Sequence, residues 1–340
     1  MLQITLAPLQ DFAELGERWR HLETLAPHSF FQNWTFLGCR AEARFSEPFL
    51  LAATENGHDV ALALLNRHAG RLHLGETGHP ALDSVFIEHN GILALSDAAL
   101  RACYRALLAQ SPVTLSGIDD VQLVAAKTSG LAHLRQSRFA PALNLATLAA
   151  PYLDTLSANT RAQIRRALRQ YGAEPNLSRA RSLTEALAFF DIMMNLHQES
   201  WQRRNQPGAF ASSAMRDFHR ILIARAWPRG EADLLRISAG GHDIGYLYNF
   251  LHSGRIYCYQ SGFIKAATPH EKPGLVCHSL AIGYYASAGL ATYDMLAGAS
   301  RYKTSLVKQG QMLHWATLYP KTSLAGMARI AAARLRRRTM

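Results

Sequence analysis

Cysteine is scarce: Cys39, Cys103, Cys258 and Cys277 are scattered through 340 residues, with no CxxC pair. That excludes a disulfide framework and reads as reduced thiols of a cytosolic protein. Fifteen histidines occur, yet there is no HExxH string and no Cys/His spacing suited to zinc, so no metal is expected. A GxSxG elbow, a Walker loop and a GxGxxG fingerprint are also missing. The opening residues MLQITLAPLQDF lack a basic stretch followed by an apolar run, so no secretory leader is expected. The stretch Pro273–Tyr293 carries no formal charge, but it contains His278, Ser279, Ser287, Thr292 and three glycines and breaks at Ala288-Gly289. It reads as a buried helix followed by a buried strand rather than a membrane span.

Acidic residues are outnumbered, 25 against 36 Lys plus Arg, for a net charge of +11. This favours anionic partners: nucleic acid, a phosphate-bearing cosubstrate or an acidic membrane surface. With 49% hydrophobic and 18% charged residues, the chain has core enough for two domains.

Those two domains are related by duplication. Leu50–Gly78 aligns without a gap to Leu234–Gly262 at a constant offset of 184 residues, with nine of 29 positions identical, including GHD at 57–59 and 241–243. Each copy reads as three strands joined by glycine turns, with a helical pattern upstream (Leu9–Leu25, Leu183–Arg204) and a helix then a strand downstream. The order helix–strand–strand–strand–helix–strand therefore occurs twice. The fold class is α/β with mixed, mostly antiparallel sheets flanked by helices. The expected boundary lies near Leu148-Ala149-Ala150-Pro151, giving domains 1–148 and 149–320 and a tail 321–340. A cationic helix then begins at Ser157 or Asn159 and ends before Gly172, with Arg161, Arg165, Arg166 and Arg169 on one face.

The strings LSANTRAQIRRALR, HQESWQRR, YCYQSGF, PGLVCHSLAIGYY and YDMLAGASRYKTSL, in this order, resemble the GNAT acyltransferase superfamily. Within it they resemble the CelD-like, cellulose-biosynthesis-associated branch, a relative of the FemAB-type transferases, which carry two GNAT-like domains. The resemblance implies tandem GNAT-like domains, the first degenerate. It implies acyl transfer from a thioester, usually acyl-CoA, to an amine, with acyl-CoA as co-substrate and no tightly bound cofactor. The carrier lies in a V between the strand before the central helix and the strand after it, its diphosphate on amides at the helix start.

Here that strand is 256–262 and the helix starts at Pro273-Gly274. The resemblance places Gln260, Ser261, Lys272, Gly274, Leu275 and Val276 at the donor. Of the superfamily's R/Q-x-x-G-x-G/A pattern only Gly274 survives; Glu271 and Val276 stand at the outer positions. Transfer needs a base for the attacking ammonium and a proton for the leaving thiolate. His197, Asp294 and Glu199 are the candidate bases, with Arg301 or Lys303 as a structural partner for Asp294. Tyr302 and Lys303 occupy the family's YK position, Tyr302 as proton donor and Lys303 holding the acceptor or a phosphate. Trp201, Tyr246 and Tyr248 are expected to line the acceptor groove.

The acceptor is an amine of a saccharide, a lipid-like molecule or a small metabolite. The tail SLAGMARIAAARLRRRTM, with Arg329, Arg334, Arg336, Arg337 and Arg338, reads as a short amphipathic helix for an anionic membrane face, a tRNA, or a frayed end. The alternatives are a FemAB-type transferase using aminoacyl-tRNA on a cell-wall precursor and a non-catalytic double-GNAT binding protein. A cytoplasmic location, peripheral at the inner membrane face, is expected.

Overall fold

A computed structural model describes residues 1–83, 87–148, 151–298 and 300–338, apart from the side chains of 334 and 336–338. It divides into two compact units, Met1–Arg138 with Met312–Met340, and Phe139–Gln311. The sequential boundary expected at 148/149 thus falls inside the second unit, and Ala149 and Ala150 lie outside the described residues.

The first unit contains β1 (Gln3–Pro8), α1 (Phe12–Glu23), α2 (Trp34–Arg44), β2 (Pro48–Glu55), β3 (His58–His68), β4 (Arg71–Leu74), β5 (Leu93–Ala94), α3 (Asp97–Gln110), β6 (Val113–Ile118) and α4 (Asp120–Ser129). The chain leaves this unit within β7 (Leu131–Asn144). β1 to β4 pair antiparallel in sequence order, β6 then pairs parallel to β4, and β5 lies on β3.

The second unit contains α5 (Tyr152–Thr155), α6 (Ala158–Gln170), β8 (Asn176–Arg179), α7 (Leu183–Gln202), α8 (Ser213–Ala226), β9 (Ala232–Ala239), β10 (His242–His252), β11 (Arg255–Phe263), α9 (Pro273–Ser287), β12 (Thr292–Asp294) and α10 (Arg301–Leu306). β8 to β11 run antiparallel, β12 joins β11 in parallel, and Ala142–Asn144 of β7 line the far side of β12. The chain returns to the first unit within β13 (Gly310–Tyr319), which pairs with β6, and ends in α11 (Leu324–Arg338).

The duplication is visible strand by strand. β2, β3 and β4 begin at 48, 58 and 71, and β9, β10 and β11 at 232, 242 and 255, each 184 residues later. The first hairpin turn has φ of 51° and 82° at Asn56 and Gly57, against 56° and 82° at Gly240 and Gly241. Both residues in the left-handed region make the tight turn that matches strand twist, which is why glycine recurs in the shared GHD.

Alternation along β10 separates two cores. Leu247 joins Ile237, Ile256, Val276, Ala281 and Ile282 under α6 and α9. Tyr246 and Tyr248 point to the opposite face, where they meet Phe189 and Phe190 of α7. α6 starts at Ser157, whose hydroxyl accepts from Thr160 N–H, and buries Ile164 and Ala167. On its other face Arg161 and Arg165 both face Asp154, at 3.9 and 3.7 Å.

Candidate active site

β11 is nine residues long and β12 is three, and their parallel pairing covers only Arg255–Tyr257 against Thr292–Asp294. Beyond Tyr257, β11 continues for the six residues Cys258–Phe263 with β10 as its partner on one edge. The register with β10 slips at Tyr248/Asn249, leaving Tyr259 as the extra residue of a bulge. Ile264 N–H donates to Ile244 O at 3.1 Å, so by the two-residue alternation of antiparallel pairs Gly262 and Gln260 also turn their main-chain groups toward β10. Ser261 and Phe263 turn theirs to the edge that β12 leaves open. Ser261 O already accepts from a side chain there, His197 Nδ1 at 3.1 Å.

The open edge faces the start of α9. Lys272 is held at φ 43°, Pro273 occupies the first turn, and no side chain caps the helix. Val276 N–H reaches Lys272 O at 3.2 Å, which leaves the amides of Gly274 and Leu275 without intrahelical acceptors. A helix start with free amides attracts anions. A side chain at Gly274 would have its Cβ 3.3 Å from the Phe263 ring, so this turn sits directly on the end of β11.

Between the parting strands stands His278, in the second turn of α9 and 3% exposed. Phe263 of β11, Tyr293 of β12 and Tyr302 of α10 surround it, at ring-centroid distances of 5.9, 6.1 and 5.8 Å, with Tyr302 stacked on its face. Nδ1 lies 2.8 Å from the Tyr293 hydroxyl, while Nε2 is buried without a hydrogen-bond partner. Burial, reinforced by the Lys303 charge, pushes this imidazole down to about 3, so it is neutral at physiological pH. The hydroxyl of Tyr302 is pushed up to about 12, mainly by burial. Cys258 adjoins Tyr293, and burial raises its thiol well above the ordinary range.

The structure revises several residue expectations. His197 is 7% exposed and fully engaged: Nδ1 bonds Ser261 O and Nε2 accepts from Ala209 N–H at 3.3 Å. The accepting Nε2 places the ring proton on Nδ1, and burial lowers the pKa, so His197 ties α7 to β11 and is not a free base. Glu199, two residues further along α7, pairs with Arg203 at 3.7 Å. Trp201 is 36% exposed and packs on His197. Asp294 is wholly buried, but its partner is Arg255 (2.8 Å) rather than Arg301 or Lys303, and its other oxygen accepts from Leu296 N–H.

Lys303 does not reach toward a substrate. Its Nζ donates to the carbonyls of Met295 (2.6 Å), Leu296 and Ala297 (both 3.4 Å), holding the turn after β12. Tyr246 and Tyr248 do not line a groove either: at 2% and 0% exposed they belong to the aromatic core beneath α7. Gln260 and Ser261 are half-buried near the end of β11, and Lys272, Gly274, Leu275 and Val276 form the first turn of α9. Val276 is excluded as an amide donor because Lys272 O already holds it. His278 was missed; its only sequence signal is a polar residue inside a charge-free run. A surface cavity of about 450 Å³ between Arg169 of α6, Glu174 and Leu280 of α9 borders none of these residues.

The first unit has the corresponding strands, β4 and β6, and there the gap is closed. Asn90 donates from Nδ2 to Leu74 O at 2.9 Å and from its backbone to Gly117 O at 3.1 Å, bridging the last residue of β4 to β6. Gly117, at φ 64°, lies so close to this segment that a Cβ would be 2.3 Å from Ile87 O. Glu76, which stands 184 residues before Gln260, is 6% exposed beside Arg40 and Ser116.

Residues 158–304 match the family described as acetyltransferase (GNAT) domain. This part of the chain is a GNAT domain. The class of enzyme is therefore acyltransferase. No curated protein matches the sequence. Among solved structures, FemX superposes with a TM-score of 0.60 at 9% identity, over 96% of this chain and 100% of its own. The C-terminal domain of a chain named as a lysylphosphatidylglycerol synthetase, from Agrobacterium fabrum, gives 0.57 at 11% identity over 96% and 97%. L-PGS from Bacillus licheniformis gives 0.55 at 12% over 94% and 96%. At these identities the likeness is one of fold, and it extends across both units of the chain. Among the described residues no helix is long and apolar enough to cross a membrane, and no group of His, Cys, Asp and Glu is arranged to hold a metal.

Proposed function

We propose that the second unit transfers an acyl group from a thioester of coenzyme A to an amine. The carrier arm would lie along the open edge of β11 with its diphosphate on the amides of Gly274 and Leu275. The observation that carries this reading is the six-residue run of β11 beyond its pairing with β12, ending against an uncapped helix start. An extended amide-bearing arm pairs with the free N–H and C=O groups of such an edge, and the helix start draws its phosphates. Lys272 adds a charge beside that turn. The acceptor is an amine of a saccharide, lipid-like molecule or small metabolite, as in the CelD-like resemblance. The stitched gap of the first unit gives that unit no donor site in this reading. Incubating the protein with mixed acyl-CoAs and a cell extract, and identifying the acylated product by mass spectrometry, tests the proposal; acylated amines support it.

A second donor, an aminoacyl ester on tRNA, is favoured by α6, which exposes Arg165, Arg166 and Arg169. It predicts tRNA binding that weakens steeply with salt, whereas a coenzyme A donor predicts thermal protection by the free coenzyme. The basic tail forms α11, but the side chains of Arg334 and Arg336–Arg338 lie outside the described residues, so the proposed anionic membrane contact rests on sequence and on Arg329.

A further inference from the structure

The orphaned nitrogen of His278, buried beside residues of β11, β12 and α10, has a chemistry that fits one atom of the substrate. The phenol of Tyr293 is a better donor than an imidazole N–H, and the Cys258 thiol hydrogen-bonded to it stays protonated, so its S–H can donate to the phenol oxygen and leave the phenol O–H for Nδ1. The Tyr293 hydroxyl therefore donates to Nδ1, across 2.8 Å, and the ring proton sits on Nε2. That N–H is buried and unpartnered, a state that costs free energy unless something else occupies the position. Stacking by Tyr302 covers the ring face and offers no acceptor in the ring plane. With its pKa near 3 the ring donates a hydrogen bond without gaining or losing a proton.

We propose that Nε2–H of His278 binds the acyl carbonyl oxygen of the thioester and holds the negative charge that develops there. This rests on the donor site proposed above. The amine nitrogen attacks the carbonyl carbon, and the carbon–oxygen π pair moves to the oxygen, where Nε2–H meets it. Collapse reforms the carbonyl and breaks the carbon–sulfur bond; the proton lost by nitrogen balances the one gained by sulfur. A preorganised neutral donor of this kind stabilises the transition state more than the ground state. Parting of the Phe263 and Tyr302 side chains that pack around the ring belongs to the proposal, because Nε2 is out of contact with solvent.

The test compares coenzyme A with S-acetonyl-coenzyme A, which carries the carbonyl but cannot transfer an acyl group. Calorimetry on the full-length protein should show a preference of about tenfold for the ketone analogue, the worth of one hydrogen bond to a buried donor. His278→Phe should abolish that preference and leave the affinity for coenzyme A unchanged, and His278→Gln, which keeps an N–H near the same place, should restore part of it. In ¹⁵N-histidine-labelled wild type, the Nε2–H resonance should shift with the ketone analogue and not with coenzyme A, which decides the matter even where a variant fails to fold. Equal preference in wild type and His278→Phe, or a resonance indifferent to the ketone, overturns the inference while leaving the donor site standing. Absence of coenzyme A binding to wild type overturns both.

Discussion

Asn90 and Leu74 are joined by a hydrogen bond of 2.9 Å from Nδ2 to the main-chain carbonyl, and this bond separates the two halves of the duplication. The same three-stranded meander ends in a closed gap in one unit and an open one in the other. The difference is one segment: residues 87–90 lie beside β6, bridged to it at Asn90/Ile118, before the chain crosses to β3 as β5. The segment between β11 and α9, 264–272, contributes no strand.

Replacing Asn90 with Leu leaves the Leu74 carbonyl and the Gly91 amide, now served by Nδ2 and Oδ1, without their partner. Two buried main-chain groups lost this way cost about 2–4 kcal/mol. Urea unfolding should register that loss, with coenzyme A binding unchanged.

Glu76 supplies a pH test of the first unit. Burial, opposed by Arg40 and aided by Asp83, raises its carboxyl from 4.5 to about 7. Between those values the folded state keeps a proton that the unfolded state has lost, so stability falls as pH rises through the window. Glu76→Gln removes the penalty and should stabilise the protein at pH 8 by about 1–3 kcal/mol, with little effect at pH 4. Thermal melts at the two pH values check this; an equal shift at both would contradict the assignment.

Asp294 and Arg255 hold the point from which β11 and β12 diverge. The carboxylate is wholly buried and the Arg255 side chain is 33% exposed, so the pair is partly screened. Asp294→Ala should cost about 2–3 kcal/mol, discounted from a fully buried pair, and Asp294→Asn less because it still accepts from Leu296 N–H. A retained acyl-transfer pH profile in Asp294→Asn would confirm a structural role.

Gly262 lets α7 approach β11: a Cβ there would stand 2.2 Å from Met193 O, a main-chain atom that cannot yield cheaply. Gly262→Ala should lower stability by about 2 kcal/mol or more and weaken the His197–Ser261 tie on the adjacent residue. Faster amide exchange at the C-terminal end of α7 is the expected signature.

Much of the fold was legible in the sequence because a repeat fixes strand starts independently of local propensity; GHD and HxGR set the turns, and the turns set the strands. What the sequence hid was pairing across the meander. Nothing in the residues of 310–319 says that β13 pairs with β6 of the first unit, since partner choice among apolar strands is a tertiary matter. The site was half legible. Pro273-Gly274 marks the helix start by backbone chemistry, but Tyr246 and Lys303 present polar atoms that the fold spends internally, and Tyr248 is wholly buried. Burial decides such cases, and burial is not written in a motif. His278 went unseen for the converse reason: an unsatisfied nitrogen is recognisable only once its neighbours are placed.

The central claim is that the open edge of β11 and the first turn of α9 hold a coenzyme A carrier. Gly274→Asp addresses it directly, because an acid in the first turn favours the helix while repelling a diphosphate. Titration calorimetry should show coenzyme A binding to the wild-type protein and at least tenfold weaker binding to Gly274→Asp, with Gly274→Ala, which makes the same 3.3 Å approach to the Phe263 ring without the charge, binding more tightly than Gly274→Asp. Equal affinity in wild type and Gly274→Asp, or no binding by wild type, would contradict the account.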